Sequence, residues 1–380
     1  MFELQLSEFN QQEFLASYWQ QKPVVIRQGF KNFKDPISAD EIAGLACEEE
    51  VESRLVFQEK GKWQAAFGPF ESYEHLGDNN WSLIVQALDH WSEEAAKMIE
   101  PFRFIPHWRL DDLMVSFATP GGGVGPHIDL YDVFICQGSG KRNWRVGHKG
   151  EHREFAAHEA LLHVDPFESI IDVELLPGDI LYIPPGFPHE GITLETSLSF
   201  SVGFRTNSST HLLSAFADHL IDNELGAELI EDPQRIAVTQ SGEINNKDYA
   251  LIKKQFQSLL DNEQLFKNFT GSYLTQAKHE LDLQTPDEAF AREDVSEILA
   301  SNNLMKLGGL RAFYFTETIN AGLCFIDGNE FLFDPSIAEA IKLLCNNVEL
   351  SPKDLTIWRN NNLFLEFITE KINSGYWYFS

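Results

Sequence analysis

Cations are scarce in this chain: 29 lysines and arginines stand against 58 aspartates and glutamates in 380 residues, a formal charge of −29. Such a field repels phosphate backbones, which argues against direct nucleic-acid binding. It would speed encounter with a basic protein or peptide, although acidity also keeps a surface soluble without any partner. Cysteine is sparse too. Cys47, Cys136, Cys324 and Cys345 are scattered with no Cys-x-x-Cys spacing. That excludes a disulfide framework or a structural zinc site and fits reduced thiols in the cytoplasm. No apolar run approaches the roughly 18 residues of a membrane span. The start, Met1-Phe2-Glu3-Leu4, has neither a basic leader nor an apolar stretch, so a cytoplasmic location is expected. There is no Gly-x-Ser-x-Gly elbow for a serine hydrolase. No Gly-Lys-Ser/Thr, and no Gly-x-Gly-x-x-Gly leading into a helix, accompanies the glycine run at 121–125, so it is not a phosphate cradle.

What is present is a packed chain. A hydrophobic content of 43% with 30 phenylalanines predicts globular structure, and the length allows two or three domains. Residues 1–100 mix helical and short extended pieces: Phe14 to Trp19 has helix-like apolar spacing, and Lys22-Pro23-Val24-Val25-Ile26 reads as a breaker and a strand. Between residues 111 and 205, Leu113–Ala118, Val133–Cys136, Trp144–Val146, Ile180–Ile183 and Leu198–Phe204 read as short strands. They are separated by turns such as Gly138-Ser139-Gly140 and Pro177-Gly178-Asp179. That spacing predicts a mainly β domain, a double-sheet jelly roll or cupin barrel with flanking helices, over residues 1–208. From 209 to 284 the pattern turns helical, with Leu212, Phe216, His219 and Leu220 on one face, then Ile252, Phe256, Leu259 and Leu260. Over 285–380 an α+β domain of winged-helix type is expected. Phe313–Thr316 and Leu323–Ile326 are its strands, Gly328 sits in a turn, and Asp334-Pro335 opens a helix carrying Ile337, Ile341 and Leu344.

The chemistry concentrates in His127-Ile128-Asp129 and a distant His189. Two imidazoles and one carboxylate hold non-haem Fe(II) while leaving positions free for oxygen and a co-substrate. On an extended strand, residues two apart share a face, so His127 and Asp129 can reach one ion. His189 lies 60 positions beyond Asp129, a gap that the strands of a small barrel can close. The run Gly121-Gly122-Gly123-Val124-Gly125-Pro126 lets backbone crowd the site. The segment Leu176 to Pro188 reads as turn, strand and a proline-stiffened loop that aims His189. Between them Lys141-Arg142-Asn143-Trp144-Arg145 supplies cations, one of which, if buried, would anchor a dicarboxylate co-substrate. The other histidines offer less. His148 and His152 have a zinc-like spacing, but Gly147 and Gly150 disfavour a helix there, and His107, His158 and His163 default to structural roles.

These residues resemble the JmjC-type 2-oxoglutarate oxygenases of the bacterial ribosomal oxygenase group, whose members hydroxylate an arginine on the sixteenth large-subunit ribosomal protein. The likeness is carried by Phe14 to Pro23, Pro120 to Asp129 with Tyr131-Asp132-Val133-Phe134, Gln137 to Gly140 leading to Trp144-Arg145-Val146-Gly147, and Pro177 to His189. It covers about the first 205 residues; the remainder matches in order and size rather than by motif. The resemblance implies Fe(II) held by His127, Asp129 and His189, with 2-oxoglutarate and O2 as co-substrates. It places the co-substrate cation two positions before the strand tryptophan, at Arg142, helped by Ser116, with Lys141 and Arg145 as rivals. It also implies a homodimer through the central helices and a winged helix that contacts protein rather than DNA. Tyr131 and Asp132 are candidates for the substrate side. Alternatives sharing the iron core are a histidyl hydroxylase or a lysine demethylase; from a different class, a non-catalytic cupin could serve as an interaction module.

Overall fold

The structure is a computed structural model that describes residues 2–6 and 9–380. Its first compact unit comprises residues 1–206 with 278–284 and 307–309. Fourteen strands lie in this unit: β1 (Val24–Ile26), β2 (Ser53–Glu59), β3 (Lys62–Phe67), β4 (Trp81–Val85), β5 (Leu110–Ala118), β6 (His127–Ile128) and β7 (Asp132–Gln137), followed by β8 (Lys141–Gly147), β9 (Glu154–His158), β10 (Leu161–Val164), β11 (Ser169–Leu175), β12 (Ile180–Ile183), β13 (Pro188–Glu195) and β14 (Ser197–Phe204). An eight-stranded sheet runs β1-β12-β7-β14-β5-β4-β2-β3, a four-stranded sheet runs β11-β8-β13-β6, and β9 and β10 form a separate hairpin. The fold is the expected mainly β jelly roll.

Burial explains why these segments became strands. Every residue of β7 is buried. Phe134 and Cys136 join an aromatic-rich core with Phe14, Phe102, Phe200 and Phe204 on one side of the large sheet. Val133 and Ile135 point the other way, into a second core with Trp144 and Val146 of the smaller sheet. Side chains of both sheets therefore share one interior, as closure of a jelly roll requires. On β8 the alternation is clean: Arg142, Trp144 and Val146 are buried, whereas Lys141, Asn143 and Arg145 are only partly so. The helix Gln11–Ser17 covers the outer core through Phe14, whose ring meets Tyr182 edge-on at 4.9 Å. Residues 53–85, which carried no distinct strand signal, supply β2, β3 and β4 and lengthen the large sheet.

The second unit comprises residues 207–277, 285–306 and 310–380. The helices Ser209–Asp222, Asn246–Leu260 and Glu263–Thr275 thus group with the C-terminal elements, while residues 278–284 belong to the first unit. Phe216 and Phe269 pack at 5.0 Å between ring centroids. The winged-helix elements include the hairpin Leu323–Ile326/Asn329–Leu332 and the helices Ala338–Asn346 and Asn362–Asn373. Asp334 caps the helical start as expected, accepting from Ser336 N–H at 2.9 Å, and Ile337, Ile341 and Leu344 are buried. The strand expected over Phe313–Thr316 is corrected. Only Ala312–Phe313 is extended, and Thr316–Ile319 forms a helical turn with Glu317 at its positive end.

Candidate metal centre and active site

β6 is only two residues long, yet its pairing fixes the site. His127 lies directly across from His189 on antiparallel β13. The Pro184-Pro185-Gly186 loop closes back onto the motif, Gly186 N–H donating to the Asp129 carbonyl at 2.8 Å. His127 Nε2 lies 3.8 Å from Asp129 Oδ1, His189 Nε2 lies 3.5 Å from Asp129 Oδ2, and the two imidazole centroids are 4.3 Å apart. One donor atom from each residue falls within 4.8 Å of the others. The sequence motif and the three-dimensional cluster coincide.

The ring orientations are fixed from behind. His127 Nδ1 faces the Gly125 carbonyl at 2.9 Å, and His189 Nδ1 faces the Phe187 carbonyl at 3.0 Å. A carbonyl only accepts, so each Nδ1 carries the proton and each Nε2 presents its lone pair to the shared space. Burial, then the neighbouring His189, pushes His127 down to about 4, which keeps it neutral. Burial alone would raise the Asp129 carboxyl, but the neighbouring His127, His189 and Tyr131 outweigh it and hold Asp129 at about 2. Two neutral imidazoles and one carboxylate are the protonation states that a divalent cation requires. Glycine is needed on the approach: Gly125 has φ +82°, and a Cβ on Gly123 would lie 2.4 Å from the Gly191 carbonyl oxygen of β13.

Deeper in the barrel lies Arg142, only 5% exposed. Its Nε donates to Ser197 Oγ at 2.9 Å, and Nη2 donates to the Ser116 carbonyl at 2.8 Å and to Ser116 Oγ at 3.2 Å. Unlike its neighbours it pairs with no carboxylate, and burial pushes it down to about 9. Lys141 instead meets Glu195 at 3.1 Å, while Arg145 lies 3.7 Å from Glu190 and 3.9 Å from Asp172. Thr193 faces Arg142 across the β13–β8 ladder, and Ser199 faces both Ser116 and Gln137. Thr193 Oγ1, Ser199 Oγ and Gln137 Oε1 are buried with no hydrogen-bond partner. An uncompensated guanidinium among unsatisfied hydroxyls fits a carboxylate that arrives with the ligand. The structure brings together Arg142 and Ser116, the pair the resemblance implied, and adds Ser197, Ser199 and Thr193, which sequence reasoning missed; the alternation Ser197-x-Ser199 on a strand was the available signal.

The two residues named for the substrate side part company. Tyr131 stays on the metal side, where burial and then the neighbouring Asp129 charge push its hydroxyl well above the usual value. Asp132 is corrected: it is fully buried on the opposite face, accepting from Tyr182 Oη at 2.6 Å and Gln20 Nε2 at 2.9 Å, with Arg109 at 3.7 Å. Successive strand residues point to opposite faces, so Asp132 serves the core. His148 and His152 form no ligand set; His152 Nε2 faces the His148 carbonyl at 2.9 Å.

Comparison with known proteins agrees with this geometry. The JmjC domain family matches residues 97–212, and the ROXA-like winged helix matches residues 258–378. The Escherichia coli protein named ribosomal protein uL16 3-hydroxylase is 44% identical over 371 residues, covering 97% of this chain and 98% of its own. A probable ribosomal oxygenase of Haemophilus influenzae is 34% identical over 313 residues, 76% of either chain. An X-ray structure of E. coli YcfD superimposes with a TM-score of 0.93 at 44% identity, each chain fully covered. A structure of YcfD, described as a ribosomal oxygenase in complex with cobalt and 2-oxoglutarate, does so at 0.91 and 43%, again over the whole of both chains. The donor set at His127, Asp129 and His189 and the unpaired Arg142 suit a divalent metal and a dicarboxylate of that kind. On that identity, maintained along nearly its whole length, this chain belongs to the JmjC-type ribosomal oxygenases, enzymes that use Fe(II), 2-oxoglutarate and O2.

Proposed function

We propose that this enzyme hydroxylates the β-carbon of an arginine in the large-subunit ribosomal protein uL16. The observation that carries the substrate assignment is the 44% identity to the uL16 3-hydroxylase over 97% of the chain. Position 3 of an amino acid is its β-carbon, and the acidic charge of −29 suits a basic ribosomal substrate.

His127, Asp129 and His189 would hold the iron, their Nε2 and carboxylate atoms already directed to one point. When bound, the iron supplies the activation of O2 by which one oxygen atom enters the substrate C–H bond and the other enters succinate as 2-oxoglutarate loses CO2. The protein's own work is placement. Arg142 binds the far carboxylate of 2-oxoglutarate with two donors, and Ser116 holds the guanidinium flat while remaining able to reach the same carboxylate. The apolar wall of Val133, Ile135, Trp144 and Leu181 excludes water from the interior. Tyr131, beside the Asp129 carboxylate, borders the space a substrate side chain enters. Lys141 and Arg145, each facing a carboxylate, are set aside as co-substrate anchors.

The three-part division at residues 208 and 284 is retained as a functional one: catalysis, dimerisation, and a winged helix that contacts protein. The dimer reading is supported by apolar side chains left uncovered on the central helices, among them Leu213, Ile221, Ile252 and Phe256. No helix among the described residues is long and apolar enough to cross a membrane, and a ribosomal substrate supports a cytoplasmic location. The test is intact and tandem mass spectrometry of ribosomal proteins incubated with enzyme, Fe(II) and 2-oxoglutarate. Gain of one oxygen on a uL16 arginine is the expected result. Gain on a histidine would replace the reading with a histidyl hydroxylase, loss of methyl from lysine with a demethylase, and no change with a non-catalytic module.

A further inference from the structure

The hairpin β9–β10 lies outside both sheets of the barrel, and nothing in the reaction described above uses it. It nevertheless grips the glycine-rich approach to His127 at two points. His163 Nε2 faces the Val124 carbonyl at 2.8 Å, and Val164 N–H donates to the Pro126 carbonyl at 2.9 Å. Gly125 sits between these two bonds with φ +82°, and a Cβ added there would lie 2.2 Å from His163 Cε1, so the imidazole rests directly against the glycine. The Gly125 carbonyl is the one that receives His127 Nδ1–H. The His163 ring is itself held by two aromatic edges, Trp63 at 5.0 Å and Phe155 at 6.1 Å.

We propose that His163 is a positioning residue for the iron site: it fixes the Val124–Gly125 peptide and thereby the orientation of His127. The inference rests on reading His127 as an iron ligand. Four of the five residues at 121–125 are glycine, so this segment has little conformational preference of its own. The Gly125 carbonyl must nevertheless point at His127 Nδ1, because that bond selects the tautomer and turns Nε2 toward the metal. A carbonyl accepts only, so His163 must carry its proton on Nε2. Main-chain bonds of Gly121 and Gly122 with Thr193 hold the start of the run, and Val164 N–H holds Pro126. Loss of the His163 donor releases the Val124–Gly125 peptide between them, and the Gly125 carbonyl is then no longer aimed at the ligand ring. The pairing of β6 with β13 fixes where the His127 backbone lies, whereas the turn of its ring depends on the Gly125 carbonyl. Outer partners of this kind typically affect metal affinity by roughly 10–100-fold.

The experiment is Co(II) titration of the full-length protein, followed by visible d–d absorption, for wild type, His163→Gln, His163→Met and Asp129→Ala. Glutamine places a donor near the Nε2 position; methionine has similar reach and none. The Co(II) dissociation constant is expected to rise about tenfold or more in His163→Met, with shifted bands, and to stay within about threefold of wild type in His163→Gln. A folded His163→Met that binds Co(II) like wild type, with the same spectrum, overturns the inference. Should that variant not fold, nitrogen NMR of wild-type histidines decides: protonation of His163 at Nε2 supports it and protonation at Nδ1 overturns it. The underlying reading is tested separately, because Co(II) binding by Asp129→Ala equal to wild type removes the ligand assignment itself.

Discussion

The division of labour among residues follows from protonation and pairing. Arg142 is a buried cation whose partners are neutral oxygens, a state that costs free energy until an anion arrives. Arg142→Ala is therefore expected to raise the KM for 2-oxoglutarate by about tenfold or more, the scale of a lost charge-assisted contact, with a smaller effect on the KM for the protein substrate. Steady-state kinetics checks this, and unchanged saturation by 2-oxoglutarate would return the role to Lys141 or Arg145. A buried carboxylate, Asp112, is stressed for a different reason. Burial, then the neighbouring Asp89, pushes Asp112 up from 3.8 to about 6, against hydrogen bonding from Ala87 N–H and the charge of His279. A carboxyl whose folded value is raised stabilises the protein fully below its unfolded value and loses that contribution as pH climbs through the folded one. Asp112→Asn should thus melt at a higher temperature than wild type at about pH 7, with the difference vanishing near about pH 4. An equal difference at both pH values would contradict this.

At the scale of elements, the centre depends on how closely short strands approach. The glycine run meets β13 so tightly that Gly123→Ala would press a methyl into the Gly191 carbonyl. That variant is expected to separate the approach from β13, misplace His127 relative to His189, and weaken Co(II) binding by roughly tenfold while leaving the β-sheet circular dichroism intact. Wild-type affinity in Gly123→Ala would show that the approach is not part of the site. The same shortness explains what could be read from residues alone. His127-x-Asp129 and the stiffened loop before His189 carry their geometry locally, so the ligand set was legible. Arg142 could not be separated from Lys141 and Arg145 until the alternation of β8 was anchored, since a shift of one residue exchanges its faces. Naming Tyr131 and Asp132 together overlooked that β7 begins at Asp132, whose side chain turns to Tyr182 and Gln20 in the core. β3 was not read because its apolar alternation, Trp63-x-Ala65-x-Phe67, is short and none of its residues is fully buried. Thr316, itself β-branched, was drawn into a strand by the aromatic run Phe313-Tyr314-Phe315 before it, although the next residue, Glu317, belongs at a helix start.

At the scale of the whole molecule, two features await partners: the excess of negative charge and the uncovered apolar face of the central helices. The helix Asn246–Leu260 has no fully buried residue, and Phe256 on it is 69% exposed. A monomer rarely leaves such a face in water. Phe256→Glu is expected to convert the sedimenting species from dimer to monomer while leaving the far-ultraviolet circular dichroism unchanged, because it removes no internal packing. An unaltered sedimentation coefficient would contradict dimerisation through this helix. The charge has a kinetic consequence: association with a basic ribosomal protein should slow as salt is raised, whereas the 2-oxoglutarate site, enclosed in the barrel, should be far less sensitive.

The central claim is that His127, Asp129 and His189 hold an iron that transfers oxygen from O2 to an arginine of uL16. It is tested most directly by incubating purified uL16 with Fe(II), 2-oxoglutarate and isotopically heavy dioxygen, beside an Asp129→Ala control, and locating the label by tandem mass spectrometry. The account predicts one heavy oxygen atom on an arginine β-carbon with wild-type enzyme and none with the variant. Unlabelled hydroxyl, label on another residue type, or equal incorporation by Asp129→Ala would contradict it.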